Sequence, residues 1–185
     1  MIKQVEKETQ KKMEQVIDQV KNDFDQIRTG RAKPSLVEGI TASYYGVKTP
    51  INQMAKVSAP EPRQLLIQPW DDNVLEDIEK AIMKSDLDLH PNNDGEVIRI
   101  NIPKLTEEKR KEYVSLANDK AEEHRIAIRN LRREANDELE KLEANGDISE
   151  DNYHRGLDNI QGLTDEYIAK VDELLEKKEE EILEI

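Results

Sequence analysis

The longest uninterrupted helical pattern in the chain extends from Thr106 to Asn145, a stretch with neither glycine nor proline. Its apolar positions recur every three or four residues, the spacing that places side chains on one face of an α-helix. This stripe consists of Val114, Ala117, Ala121, His124, Ile128, Leu131, Ala135, Leu139 and Leu142. A helix of this length measures about 60 Å. Because it cannot bury its own stripe, other long helices must pack against it.

Two further segments, residues 3–27 and 149–183, have the same periodicity. Their stripes are Val5, Met13, Val16, Ile17, Val20, Phe24 and Ile27 in the first, and Leu157, Ile160, Thr164, Tyr167, Ile168, Val171, Leu174, Leu175 and Ile182 in the second. We expect Thr106 and Ser149 to cap the second and third helices, and Gly146 to interrupt the pattern between them. Three such helices can close a bundle that joins the two ends of the chain in one domain. Only 36% of the residues are apolar, which agrees with a thin core.

The middle of the chain has a different pattern. Residues 36–45, 65–68 and 97–102 favour β-strands, and six of the seven prolines lie between Pro50 and Pro103. One short helix is predicted at about residues 72–84. The sequence therefore predicts an α+β protein, in which a small β/α/β domain is inserted into a long three-helix bundle.

The two connections between these regions contain residues that break regular structure, namely Gly30, Pro34 and Pro103. We therefore predict a discontinuous bundle domain at residues 1–30 and 105–185 and an inserted domain at residues 31–104. The hinge is expected near residues 28–34 and 102–105. Because both connections are short, the two domains should swing about this hinge.

Four arginines lie within nine residues of the longest helix: Arg125, Arg129, Arg132 and Arg133. Their spacing puts them on one side of the helix, next to the apolar stripe, with the guanidinium groups in water. The whole chain has a net charge of −13, and residues 134–185 alone carry 18 acidic against 5 basic residues. A local cationic patch on an acidic molecule favours an anionic partner in one orientation. The alternative is a solvated face balanced by nearby glutamates.

The sequence contains few of the residue patterns that catalysis or metal binding requires. The three histidines, His90, His124 and His154, do not have zinc-ligand spacing, and the chain has no cysteine. His124 is expected in a helix seam. No glycine-rich phosphate loop is found, and neither are nucleophile motifs. We expect no enzyme activity, metal or cofactor. Of Tyr44 and Tyr45, which could stack on bases, at least one is expected to face the core. The charged N-terminus and the absence of long apolar runs predict a cytoplasmic protein with no membrane partner.

Several motifs in this order resemble the bacterial ribosome recycling factor family. They are residues 27–32 (IRTGRA), 44–46 with 49–50 (YYG and TP), 80–82 (KAI), 105–108 (LTEE) and 129–137 (RNLRREAND). The resemblance covers essentially the whole chain, and the last two motifs are the most specific. Lys109 stands where the family pattern has Arg and preserves the positive charge. Ile51 stands where the pattern has Leu and preserves the apolar character.

The resemblance implies an L-shaped, two-domain translation factor without enzyme activity. With elongation factor G and GTP, such a factor splits post-termination ribosomes into subunits for reuse. In this family the three-helix domain lies on large-subunit ribosomal RNA, while the smaller domain swings against it. The motifs imply RNA contacts by Arg129, Arg132 and Arg133, with Arg28 and Arg31 near the hinge, and a monomer is expected.

Two other classes of function are consistent with long charged helices. A coiled-coil adaptor or chaperone would clamp a protein partner, and it predicts exposed apolar residues outside the stripes. The exposed positions near residues 125–133 are instead expected to be arginines. A nucleotide hydrolase predicts turnover by the isolated protein.

Overall fold

The computed structural model describes residues 1–184 and divides the chain into two compact units. The helical unit contains Met1–Thr29 and Thr106–Glu184, and the inserted unit is Gly30–Leu105. In chain order the elements are α1 (Ile2–Gln26), α2 (Ser35–Glu38), β1 (Thr41–Tyr44), β2 (Val47–Pro50), β3 (Ala55–Glu61), β4 (Gln64–Pro69), α3 (Leu75–Met83), β5 (Pro91–Asn93), β6 (Ile98–Asn101), α4 (Glu107–Ala144) and α5 (Glu150–Leu183). Short 3-10 helices occupy residues 51–53 and 72–74.

The ends of α4 and α5 follow the capping signals in the sequence. The Thr106 hydroxyl accepts a hydrogen bond from the Lys109 amide at 3.2 Å, and the Ser149 hydroxyl accepts one from the Asn152 amide at 3.4 Å. Both predicted caps are therefore confirmed. Between the helices, Gly146 adopts a φ of +77°, the left-handed conformation that ends many helices.

The core of the helical unit consists of the apolar stripes of α1, α4 and α5, as predicted. A larger cluster contains Met13, Val16, Ile17, Val20, Phe24, Ile27, Ala117, Ala121, Ile128, Tyr167, Val171, Leu175 and Ile182. A smaller one contains Val5, Ala135, Leu139 and Ile160. His124 lies in the seam between α1 and α4, where its Nε2 is 2.9 Å from the Asp23 carboxylate. This placement confirms the structural role expected for His124.

The inserted unit is built on a four-stranded antiparallel sheet with the order β3-β4-β6-β5, together with the hairpin β1-β2. α3 packs against this unit's core, which includes Val37, Ile51, Leu65, Ile67, Ile78, Ile82, Ile98 and Ile100. The predicted strands at 65–68 and 97–102 are confirmed as β4 and β6. The sequence did not identify β2, β3 and β5. β3 and β5 are edge strands that contain proline, which removes an amide donor and weakens the strand signal.

The predicted strand at residues 36–45 is wrong over its first half. Ser35–Glu38 form one helical turn, and only Thr41–Tyr44 are a strand. Pro34 explains the difference, because its φ of −50° is already helical and the Val37 amide bonds back to its carbonyl.

The expectation that Tyr44 or Tyr45 faces the core is also wrong. Ala42 takes the buried position of β1, while Tyr44 and Tyr45 are 38% and 70% exposed. Tyr45 lies in the hairpin turn with a φ of +49°, outside the alternation of the strand, and its hydroxyl donates to Asp71 at 2.5 Å. This hydrogen bond to a carboxylate raises the pKa of Tyr45.

Candidate nucleic-acid interface

The four arginines predicted to share one side of α4 do so, and we refer to Arg125, Arg129, Arg132 and Arg133 as the arginine ridge. Their side chains differ in exposure: the first three residues are half-buried and Arg133 is exposed. The buried positions Ala121, Ile128 and Ala135 lie beside them and anchor the helix in the core. The ridge is thus fixed to a rigid support, but its four members have different partners.

Arg125 is held by carboxylates from two helices. Its Nε and Nη2 donate to Asp172 Oδ1 on α5 at 2.8 and 2.5 Å, and its Nη1 donates to Glu122 at 3.1 Å. Only 19% of the side chain is exposed, which corrects the expectation that this guanidinium lies in water. Burial opposes its charge, yet the hydrogen bonds to Asp172 and Glu122 outweigh burial and raise the pKa of Arg125.

Arg129 shares one of these carboxylates. Its Nη1 donates to the second oxygen of Glu122 at 2.9 Å, and 39% of its side chain is exposed. Glu122 therefore bridges Arg129 and Arg125. The hydrogen bonds from these two arginines, that from Arg129 first, lower the pKa of Glu122 below its usual value.

Arg132 and Arg133 contact neutral amides instead. Arg132 Nη1 donates to Gln161 Oε1 on α5 at 3.1 Å, and Arg133 Nη1 donates to Asn130 Oδ1 at 3.4 Å. Within residues 1–184, neither takes part in an ion pair. These two guanidinium groups bond to neutral acceptors, so an external anion competes there with an amide oxygen and not with a carboxylate.

The other predicted site residues lie outside the ridge. Arg28 follows α1 in the helical unit and Arg31 belongs to the inserted unit, and both are exposed. Among the predicted hinge residues, Gly30 has a φ of +69°, Pro34 precedes α2, and Pro103 is exposed after β6. The structure thus groups the four α4 arginines, and it places Arg28 and Arg31 in different units.

Sequence reasoning missed three features of this surface. Gln161 and Asp172 of α5 contact the ridge, and the order of charges along α4 contains no signal for a partner on another helix. Ile126 is 49% exposed, so the expectation that only arginines are exposed in this part of α4 is wrong. The side-chain amide oxygen of Asn136, one turn beyond Arg132, is buried and has no hydrogen-bond partner within residues 1–184.

Over residues 1–184, no group of three or more His, Cys, Asp or Glu side chains is arranged to hold a metal ion. In the same range, no helix is both long enough and apolar enough to cross a membrane.

Comparisons with known proteins agree over nearly the whole chain. A family model described as ribosome recycling factor matches residues 20–183. The ribosome-recycling factor of Halothermothrix orenii is 65% identical over 185 residues, covering 100% of both chains. That of Bacillus subtilis is 49% identical, again over 100% of both chains.

Two solved structures have the same fold. A solution structure of a ribosome recycling factor matches with a TM-score of 0.78 and 44% identity, covering 100% of this chain and 98% of the other. The second describes the T. thermophilus ribosome recycling factor and E. coli elongation factor G bound to the E. coli post-termination complex. It matches with a TM-score of 0.67 and 49% identity, covering 99% of each chain. These neighbours agree with the α+β fold expected from the sequence.

Proposed function

Because this chain belongs to the ribosome recycling factor family, we propose that it dissociates post-termination ribosomes into subunits, together with elongation factor G and GTP. Full-length similarity to factors of this family supports the proposal, and so does the neighbour bound with elongation factor G to a post-termination complex. Its partners would be the large ribosomal subunit, its ribosomal RNA and elongation factor G. The protein would act in the cytoplasm as a monomer, without a cofactor.

The arginine ridge is the proposed contact with ribosomal RNA. The observation that carries this assignment is the pair Arg132 and Arg133, which neighbour each other in sequence and are held only by neutral amides. A guanidinium fork binds phosphate oxygens bidentately, and double-helical RNA is recognised mostly through its backbone and shape. Arg129 and Arg125 extend this surface along α4, and Arg28 and Arg31 would add contacts near the hinge.

The proposed movement involves the inserted domain. We propose that residues 31–104 rotate against the bundle of residues 1–30 and 105–185, at a hinge near residues 28–34 and 102–105. Gly30 supports this, because its φ of +69° is a conformation that other residues rarely adopt. Pro34 in the first connection and Pro103 in the second restrict the backbone conformations that each connection can adopt. The work would come from GTP hydrolysis in the partner, so the protein itself would not be an enzyme.

An adaptor that clamps a protein remains the alternative because two apolar side chains of α4 are exposed. Leu116 is 42% and Ile126 is 49% exposed. Isolated exposed apolar residues are common on protein surfaces, and these two are ten positions apart along α4. Arginine-dependent binding that weakens with salt favours the RNA contact, whereas binding that depends on Ile126 favours the adaptor.

Arg132→Ala tests the RNA contact. Alanine keeps the helix propensity, so the variant should melt like the wild type. Loss of one charge-assisted contact should weaken binding to large ribosomal subunits by about one to two decades, from roughly 1.5–3 kcal/mol per contact. The salt dependence of binding should also become shallower, because fewer counterions are released.

The matched control is Arg155→Ala, which removes the same charge from an exposed position of α5. It should bind almost like the wild type. The measurement is a titration of purified large subunits at several salt concentrations, with circular dichroism melts of each protein. Equal affinity of the Arg132 variant and the wild type would refute the RNA-contact assignment. Equal losses in both variants would indicate a general effect of charge.

A further inference from the structure

The arginine ridge is divided by the charge of its partners. Asp172 and Glu122 hold Arg125 and Arg129 in ion pairs of 2.5–3.1 Å, whereas Arg132 bonds to the neutral Gln161. Asp172 and Gln161 both belong to α5, so one helix supplies an anionic partner at one end of the ridge and a neutral one at the other. The two ends must therefore respond differently to a phosphate.

A phosphate that approaches Arg129 or Arg125 competes with a carboxylate already in place. Both ligands accept hydrogen bonds from the same guanidinium fork, and exchange costs the internal ion pair. The side chains of Glu122 and Arg129 are 49% and 39% exposed, so water screens this pair and it is weak enough to exchange. Asp172 is 53% exposed, but its partner Arg125 is only 19% exposed, so a phosphate reaches this pair from the carboxylate side. After exchange the released carboxylate stays close and can recapture its arginine.

We propose that Glu122 and Asp172 are internal counter-ions that RNA must displace, and that they shorten the residence time of the protein on RNA. This inference rests on the proposed RNA-binding function of the ridge. A factor that acts repeatedly must leave its binding site after each round. Carboxylates held at the site lower the affinity without removing any arginine.

Gln161 has the opposite role at Arg132. Its Nε2 donates to Asp165 Oδ1 at 2.8 Å, which turns its oxygen towards Arg132. The Arg132 side chain is thus oriented by a neutral acceptor that does not cancel its charge. Gln161 is therefore a positioning residue, and a carboxylate in its place would turn Arg132 into another internally paired arginine.

The test uses near-isosteric changes of charge in the full-length protein. Glu122→Gln and Asp172→Asn should each tighten binding to purified bacterial large subunits by about two- to five-fold, the range for removing one solvent-exposed ion pair. Dissociation should slow by a similar factor. Affinity should also fall more steeply as salt rises, by up to about one counterion per variant. In the wild type the displaced carboxylate takes up a cation, whereas in these variants no carboxylate is displaced. Gln161→Glu should change affinity and salt dependence in the opposite direction.

Glu173→Gln is the matched control, since it removes the same negative charge from α5 and breaks an ion pair of 3.0 Å with Lys177 rather than with an arginine of the ridge. It should leave binding unchanged. Tightening equal to that of Asp172→Asn would reduce the effect to net charge and overturn the proposal. Lower melting temperatures of the Glu122 and Asp172 variants without tighter binding would show a merely structural role, and would also overturn it.

Arg132→Ala, measured in the same titration, separates the two hypotheses. If it binds like the wild type, the proposed RNA contact itself is refuted. If it weakens binding while Glu122→Gln and Asp172→Asn leave affinity unchanged, only the counter-ion inference is refuted. Because Glu122 and Asp172 lie on different helices, a folding defect in one variant leaves the other as an independent test.

Discussion

Gly156 and Gly162 lie in the interior of the same helix, α5, but their surroundings differ. A Cβ atom at Gly162 would meet no atom within 4 Å. A Cβ atom at Gly156 would lie 3.0 and 3.2 Å from the two terminal methyl groups of Leu139, and 3.5 Å from a methyl group of Ile2. The same change to alanine should therefore have opposite effects on stability.

The helix propensity of alanine provides the same gain at both sites, about 0.5–1 kcal/mol relative to glycine. At Gly162 nothing opposes this gain. At Gly156 the methyl group must displace Leu139, which is fully buried and cannot move without repacking its neighbours. Overpacking of this kind typically costs about 1–3 kcal/mol, so Gly156→Ala should be destabilising by about 0.5–2 kcal/mol.

The assay is thermal unfolding followed by the helical circular dichroism signal. Gly162→Ala should raise the melting temperature by about 1–4 °C, and Gly156→Ala should lower it by about 1–8 °C. Leu139→Ala, although destabilising by itself, removes the obstructing methyl groups, so in that background Gly156→Ala should become stabilising. A Gly156→Ala protein that is more stable than the wild type would refute the argument from close packing.

Deletion of residues 174–185 should lower the melting temperature substantially, because Leu175 and Ile182 are buried in the bundle core, and an unchanged melting curve would contradict this. Gly30→Val should impair ribosome splitting more than ribosome binding, because the φ of +69° disfavours valine, and equal losses of both activities would argue against a hinge. Backbone amides of Val97 and Glu96, with Arg99, lower the pKa of Asp94 to about 2, so its stabilising effect should disappear as the pH falls from about 4 to 2. Asp94→Asn should remove this pH dependence of unfolding.

Helical periodicity predicted the bundle well because each stripe is a property of one continuous segment. Positions such as Ile128 and Val171 recur at the spacing of a buried face, and both are fully buried. Thr106 and Ser149 were also predictable, since a cap bonds to an amide only three residues away. Local chemistry of this kind needs no knowledge of the rest of the fold.

The inserted unit was harder to predict because short strands take their stability from neighbours distant in sequence. β5 has only three residues and pairs with β6 alone, and β3 pairs only with β4. Neither strand has a clean alternation of apolar and polar residues. Pro34 was expected only to interrupt regular structure, yet its φ of −50° also begins the helical turn of α2.

The α5 partners of Arg125 and Arg132 depend on the register between α4 and α5, which the sequence does not specify. α5 is rich in acidic residues, so a different register could have placed a carboxylate opposite Arg132. Arg125 meets Asp172, whereas Arg132 meets Gln161, a neutral residue whose amide is fixed by Asp165. A surplus of acidic residues on the flanking helix disfavours an approaching anion, except where arginines outnumber their carboxylate partners. Arg132 and Arg133 meet that condition, so an anionic partner should be drawn first to this end of the ridge, before it displaces the carboxylates that hold Arg125 and Arg129.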